Sequence, residues 1–149
     1  MNSLAYRGRI LALDVGDKRV GVAISDETQT LARSLMVLQR SSKAQDFETL
    51  AQLVREYDLV AIVVGLPLLA DGAEGQQAHK IRNYALALSE ALTAQELTTP
   101  LVFYDESYST NTAAELMIAG GRSRRDRQQR IDAVAAAVIL QNYLDAKQE

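Results

Sequence analysis

Cysteine is absent from this 149-residue sequence, so it holds neither disulfides nor thiolate metal sites, and a reducing compartment, the cytoplasm, is the expected setting. Histidine occurs once, as His79 in the polar opening of a helical pattern, where a surface place is expected. No apolar run approaches the roughly 20 residues that cross a bilayer. Met1 to Arg9 lacks the apolar centre of a secretory signal, so no membrane partner is expected. Positive charge is not in excess either. A formal net charge of -3 and an isoelectric point near 5.2 argue against a general polyanion binder working through bulk electrostatics. Repeats, linkers and low-complexity segments are missing. With 48% hydrophobic and 23% charged residues, the composition is that of a globular protein, and the length suits one domain over 1–149.

What the sequence does hold begins between Ile10 and Ser25. Two aliphatic runs, Arg9 to Val15 and Arg19 to Ser25, flank Gly16-Asp17-Lys18 and predict a hairpin. The first run carries Asp14. An apolar strand does not hold a charge cheaply, so this carboxylate needs a backbone donor, a basic side chain or a divalent cation. Leu31 to Leu38 reads as a third antiparallel strand. From Ala44 the spacing of Phe47, Leu50, Leu53, Val54 and Tyr57 predicts a helix, and Leu59 to Val64 a strand buried on both sides. A helix from Gln76 to Gln95 turns Ile81, Tyr84 or Ala85, Leu88 and Leu92 inward, and Leu101 to Tyr104 is a last strand running into Asp105-Glu106. Thr112 and Glu115 have capping-box spacing for a helix stopped by Gly120-Gly121. An arginine loop then leads to a buried helix over Ile131 to Tyr143. These elements make an α/β fold, a mixed five-stranded sheet with helices on both faces.

Three acidic positions suit a hard cation. Asp14 closes the first strand, Glu106 follows the last, and Asp132 opens the final helix. They meet if the first and fourth strands pair and that helix packs beneath the same edge. Mg²⁺ or Mn²⁺ takes oxygen ligands, and two or three carboxylates suffice when a substrate supplies phosphate oxygens. Two such ions can activate water and stabilise the leaving oxygen of a phosphodiester without a nucleophilic side chain. Each acid also has a plainer reading: Asp14 as a turn former, Glu106 as a solvated loop acid, Asp132 as a complement to a helix start.

Basic residues lie beside the acids. Arg122, Arg124, Arg125, Arg127 and Arg130 surround one aspartate, and Lys18 and Arg19 follow Asp14. Such cations hold a nucleic-acid backbone that the carboxylates alone would repel, although a solvated surface segment has the same composition. Tyr108 reads as a packing or rim residue, and Ser109 and Thr110 as helix caps.

Four motifs, in order, carry a resemblance to a known family. They are Leu13-Asp-Val-Gly-Asp-Lys-Arg-Val-Gly-Val-Ala23, Val64-Gly-Leu-Pro-Leu68, Asp105-Glu-Ser-Tyr-Ser-Thr110 and Ile131-Asp-Ala-Val-Ala-Ala136. Together they resemble the bacterial YqgF family, also called RuvX, over nearly the whole chain. The resemblance implies a ribonuclease H-like fold related to the RuvC resolvases, with strand order 3-2-1-4-5 and the first three strands antiparallel. It implies Mg²⁺ or Mn²⁺ held by Asp14, Glu106 and Asp132. It also implies nucleic-acid cleavage, chiefly maturation of the 5′ end of pre-16S rRNA, with Holliday junction resolution as an alternative. At the second site Ser107 and Tyr108 stand where the family has Arg-Leu, which removes one expected phosphate contact and leaves the ligands intact.

Two readings compete with a metal-dependent nuclease acting on RNA, or on structured DNA, as monomer or homodimer. An actin-like phosphotransferase shares the Asp-x-Gly hairpin but needs two domains of this topology. A non-catalytic RNA-binding factor in ribosome assembly would keep the acids for metal-assisted binding.

Overall fold

Side chains along a strand alternate between two faces, and in the first strand both faces are apolar. The computed structural model describes residues 7–105 and 124–147, the side chains of 124–129 excepted. In it β1 (Ile10–Val15) sends Leu11, Leu13 and Val15 into one core cluster and Ile10 and Ala12 into another. A strand covered on both sides belongs at the centre of a sheet, and β1 is there. The order is β3-β2-β1-β4-β5, as expected, with β2 (Arg19–Ser25), β3 (Ala32–Gln39), β4 (Ala61–Leu66) and β5 (Leu101–Asp105). β1–β2 and β2–β3 pair antiparallel, while β1–β4 and β4–β5 pair parallel.

Helices cover both faces. α1 (Lys43–Tyr57) and α2 (Gln76–Ala94) bring Phe47, Leu50, Val54, Ile81, Leu88 and Leu92 to the side of Leu11 and Leu13. α3 (Arg124–Lys147) lays Ala136, Ile139, Leu140 and Leu144 on Ile10 and Ala12. Their spacing of three and four residues is that of one helical stripe. Ser42 caps α1, its hydroxyl accepting from the Gln45 N–H at 3.2 Å, and Asp58 ends the helix at φ 51°, a left-handed conformation that Asp adopts more readily than most residues.

Two boundaries differ from expectation. β4 runs Ala61–Leu66 rather than Leu59 to Val64, because Leu59 closes α1, its N–H bonding to the Val54 carbonyl at 3.1 Å. At the other end Gly65 and Leu66 still pair with Tyr104 and Asp105. The arginine segment is helical from Arg124 onward, not a loop, and α3 continues to Lys147. Arg and Gln are strong helix formers, and no Gly or Pro interrupts them after Gly121; the apolar period that marks the helix in sequence starts only at Ile131. The helix expected around Thr112 to Ile118 lies outside the described residues. Among those described, no helix is long and apolar enough to cross a membrane.

Candidate active site

The β1–β2 turn is built to hold its shape. The Gly16 N–H donates to the Arg19 carbonyl at 2.8 Å, and a Cβ on residue 16 would sit 2.9 Å from that oxygen, so only glycine fits without a shift. Arg40, just past β3, braces the turn. Its Nη1 donates to the Gly16 carbonyl at 2.8 Å, and its backbone N–H donates to the Lys18 carbonyl at 2.9 Å. The same guanidinium lies 4.8 Å from the Tyr84 ring centre and 4.0 Å from Asp46, a carboxylate only 2% exposed. A buried charge needs such a partner. Nothing local in the sequence marks Arg40 for this task.

Alternation decides where Asp14 points. Ile10 and Ala12 face α3, so Asp14, two residues on, shares that face and is half-buried. Its partner across the ladder is Gly21. A Cβ on residue 21 would come within 2.1 Å of the Asp132 carbonyl oxygen, so the backbone of α3 rests directly on this glycine. Asp14 and Asp132 are thereby brought to one patch, from the first strand and the last helix. A glycine inside a strand is the sequence signal for such an approach.

Asp132 does not open its helix, as expected from sequence, but lies beyond the first two turns of α3. The macrodipole falls off within the first turn, so that plainer reading of Asp132 is overturned. Its Oδ2 instead accepts from Arg19 Nε at 2.6 Å, with 18% of the Asp132 side chain and 27% of the Arg19 side chain exposed. Arg19 was expected to contact phosphate; in this structure it neutralises a carboxylate.

The remaining expected positions divide. Lys18 is exposed at the tip of the hairpin, beside Asp17, whose carboxylate lies 3.6 Å from Lys80 in an open surface pair. Arg130 is exposed on α3. Glu106, Ser107, Tyr108, Ser109, Thr110 and Arg122 lie outside the described residues, as do the side chains of Arg124, Arg125 and Arg127. Leu101 and Phe103 pack with the α1–α2 cluster and Tyr104 with the α3 cluster, so alternation turns Asp105 away from the Asp14 face.

Among the described residues no three His, Cys, Asp or Glu side chains converge closely enough to hold a metal. Asp14 and Asp132, the two acidic residues brought to this face, are of the type that suits a hard cation, since Mg²⁺ is commonly held by one or two carboxylates with water and phosphate oxygens completing its shell.

A family model described as RuvX, Holliday junction resolvase, matches residues 8–146. A relative from Thermoanaerobacter pseudethanolicus, named a candidate pre-16S rRNA nuclease, is 41% identical over 140 residues, 93% of this chain and 97% of its own. One from Heliobacterium modesticaldum with the same name is 42% identical, covering 93% and 90%. Among solved structures, T. thermophilus RuvC in complex with a Holliday junction substrate superposes with a TM-score of 0.57 at 17% identity, over 95% of this chain and 96% of that one. The yeast mitochondrial Holliday junction resolvase Ydc2 gives 0.55 at 14%, over 93% and 78%. At such identities the likeness is one of fold, the ribonuclease H-like sheet of the RuvC resolvases.

Proposed function

The chain belongs to the RuvX family, and from that premise we propose that it is a metal-dependent nuclease hydrolysing phosphodiester bonds in RNA, in 5′-end maturation of pre-16S rRNA. The observation that carries this reading is that the α3 backbone at Asp132 rests on Gly21, the ladder partner of Asp14, which brings these two acidic residues to one face of the sheet. Asp14 and Asp132 would hold a Mg²⁺ or Mn²⁺ ion, with Glu106 as the third ligand. The ion supplies Lewis-acid stabilisation of the phosphate and an activated water. Lys18 and Arg130, both exposed, neutralise flanking phosphates, and Arg122, Arg124, Arg125 and Arg127 extend that set. RNA is preferred over junction DNA because the relatives at 41% and 42% identity carry the rRNA name, whereas the junction-bound RuvC stands at 17%. The family's own description, Holliday junction resolvase, supports junction cleavage as the second reading, and paired cuts of that kind would need a dimer. The cytoplasm is the setting in which such RNA is met.

Labelled precursor-like RNA and a four-way DNA junction, each incubated with Mn²⁺, Mg²⁺ or EDTA, test the assignment beside Asp14→Asn. RNA cleavage that needs the metal and drops more than about 100-fold in the variant, with RNA binding retained, is the expected result. Cleavage by Asp14→Asn at the wild-type rate overturns the assignment of Asp14. Paired junction cuts with intact RNA would replace the substrate.

A further inference from the structure

The carboxylate that the proposed function gives to a metal ion is held by a cation of the protein's own. Arg19 Nε reaches Asp132 Oδ2 at 2.6 Å across 113 positions of sequence. Three features make this pair exchangeable. Arg19 opens β2 beside the exposed hairpin, and 27% of its side chain meets solvent, so the guanidinium can swing outward on its stem while the strand stays in place. Asp132 is anchored, because its backbone rests on Gly21. Among the described residues the guanidinium bonds through Nε to Asp132, which leaves the Nη edge for a second acceptor.

One carboxylate serves a guanidinium and a divalent cation poorly at the same time, since the two positive charges would stand a few ångströms apart. A phosphodiester is a better partner for the guanidinium, because its paired oxygens match the planar fork. We propose that Arg19 is the exchangeable counter-ion of Asp132: a substrate phosphate draws the guanidinium off the carboxylate, which then accepts the metal, so that nucleic acid and metal load together. Linkage makes the effect reciprocal, each ligand tightening the other by the same factor. Without substrate the ion pair keeps Asp132 neutralised and metal affinity low. The inference rests on the assignment of Asp132 as a ligand, and the experiment separates the two.

Mn²⁺ binding to the full chain is titrated by calorimetry, alone and with a short phosphorothioate RNA verified by gel to stay uncleaved, after subtraction of Mn²⁺ binding to the RNA itself. The RNA is expected to tighten Mn²⁺ about 10-fold, a typical coupling. Arg19→Ala and Arg19→Gln are expected to bind Mn²⁺ about 10-fold tighter without RNA and to lose the gain on adding it; Arg19→Gln guards against a folding defect in the smaller variant. In wild-type protein the Arg19 Nε–H resonance is expected to move when RNA and Mg²⁺ are added together. If Asp132→Asn leaves Mn²⁺ affinity unchanged, the ligand assignment fails and this inference with it. If Asp132→Asn weakens Mn²⁺ while the Arg19 variants match wild type with and without RNA, the exchange is overturned and the ligand stands.

Discussion

The Tyr84 hydroxyl is buried and has no hydrogen-bond partner among the described residues, although its ring is well placed. Phe47 meets that ring edge-on at 5.1 Å between centres, and Arg40 covers its face. Burial, and after it the nearby Asp46 carboxylate, pushes the phenol up to about 12 against the opposite pull of Arg40. Tyr84→Phe keeps both ring contacts and removes a buried unpaired group. Urea unfolding at neutral pH is therefore expected to show equal stability or a gain of up to about 1 kcal/mol. The alkaline side follows from the sign of the shift. A folded-state value above the ordinary 10 contributes stability that is fully present below pH 10 and lost as pH rises through about 12. The variant should flatten that limb; an unchanged alkaline transition would remove Tyr84 from it.

Gly21 sets how closely the α3 backbone at Asp132 seats on the sheet. In Gly21→Ala the new methyl would meet the Asp132 carbonyl at 2.1 Å, with the Ala136 Cβ at 3.4 Å, so the helix must lift. Overpacking of this kind costs about 1–3 kcal/mol, to be read from denaturant midpoints. Because the lift carries Asp132 away from Asp14, metal-dependent cleavage per folded molecule is expected to fall further than stability does. Sequence made most elements readable, since β1 and β2 are short aliphatic runs flanking a Gly-Asp-Lys turn and α1 and α2 show a clear apolar stripe. It failed where pattern was missing. The first turns of α3 are polar throughout, so their helix was hidden and Asp132 was placed too near the start. Asp14 and Asp132 stood out as candidates from charge set among apolar neighbours, but the Arg19–Asp132 pair is a tertiary contact with no local trace. Read beside Lys18, Arg19 looks like any phosphate ligand.

On the acid side the molecule leans on a different corner. The Asp26 carboxylate accepts the Thr30 N–H at 2.8 Å, the Leu31 N–H at 3.2 Å and the Thr28 hydroxyl at 2.9 Å, and these bonds, led by Thr30, hold it below the usual carboxylate range. Such a group contributes stability above its ordinary value and loses it as pH falls through the lowered one. Asp26 is only half-buried and its hydrogen bonds lie open to solvent, so the contribution is small, and Asp26→Asn is expected to flatten the thermal-unfolding profile slightly below about pH 4. Identical acid limbs in both proteins would count against it. The two faces of the sheet are also completed at different times. α1 and α2 come from the middle of the sequence, whereas the covering of the Asp14 face waits for α3. Translation passes Asp14 early and Asp132 late, so the site proposed for these two carboxylates stays incomplete in a newborn chain until its last helix docks.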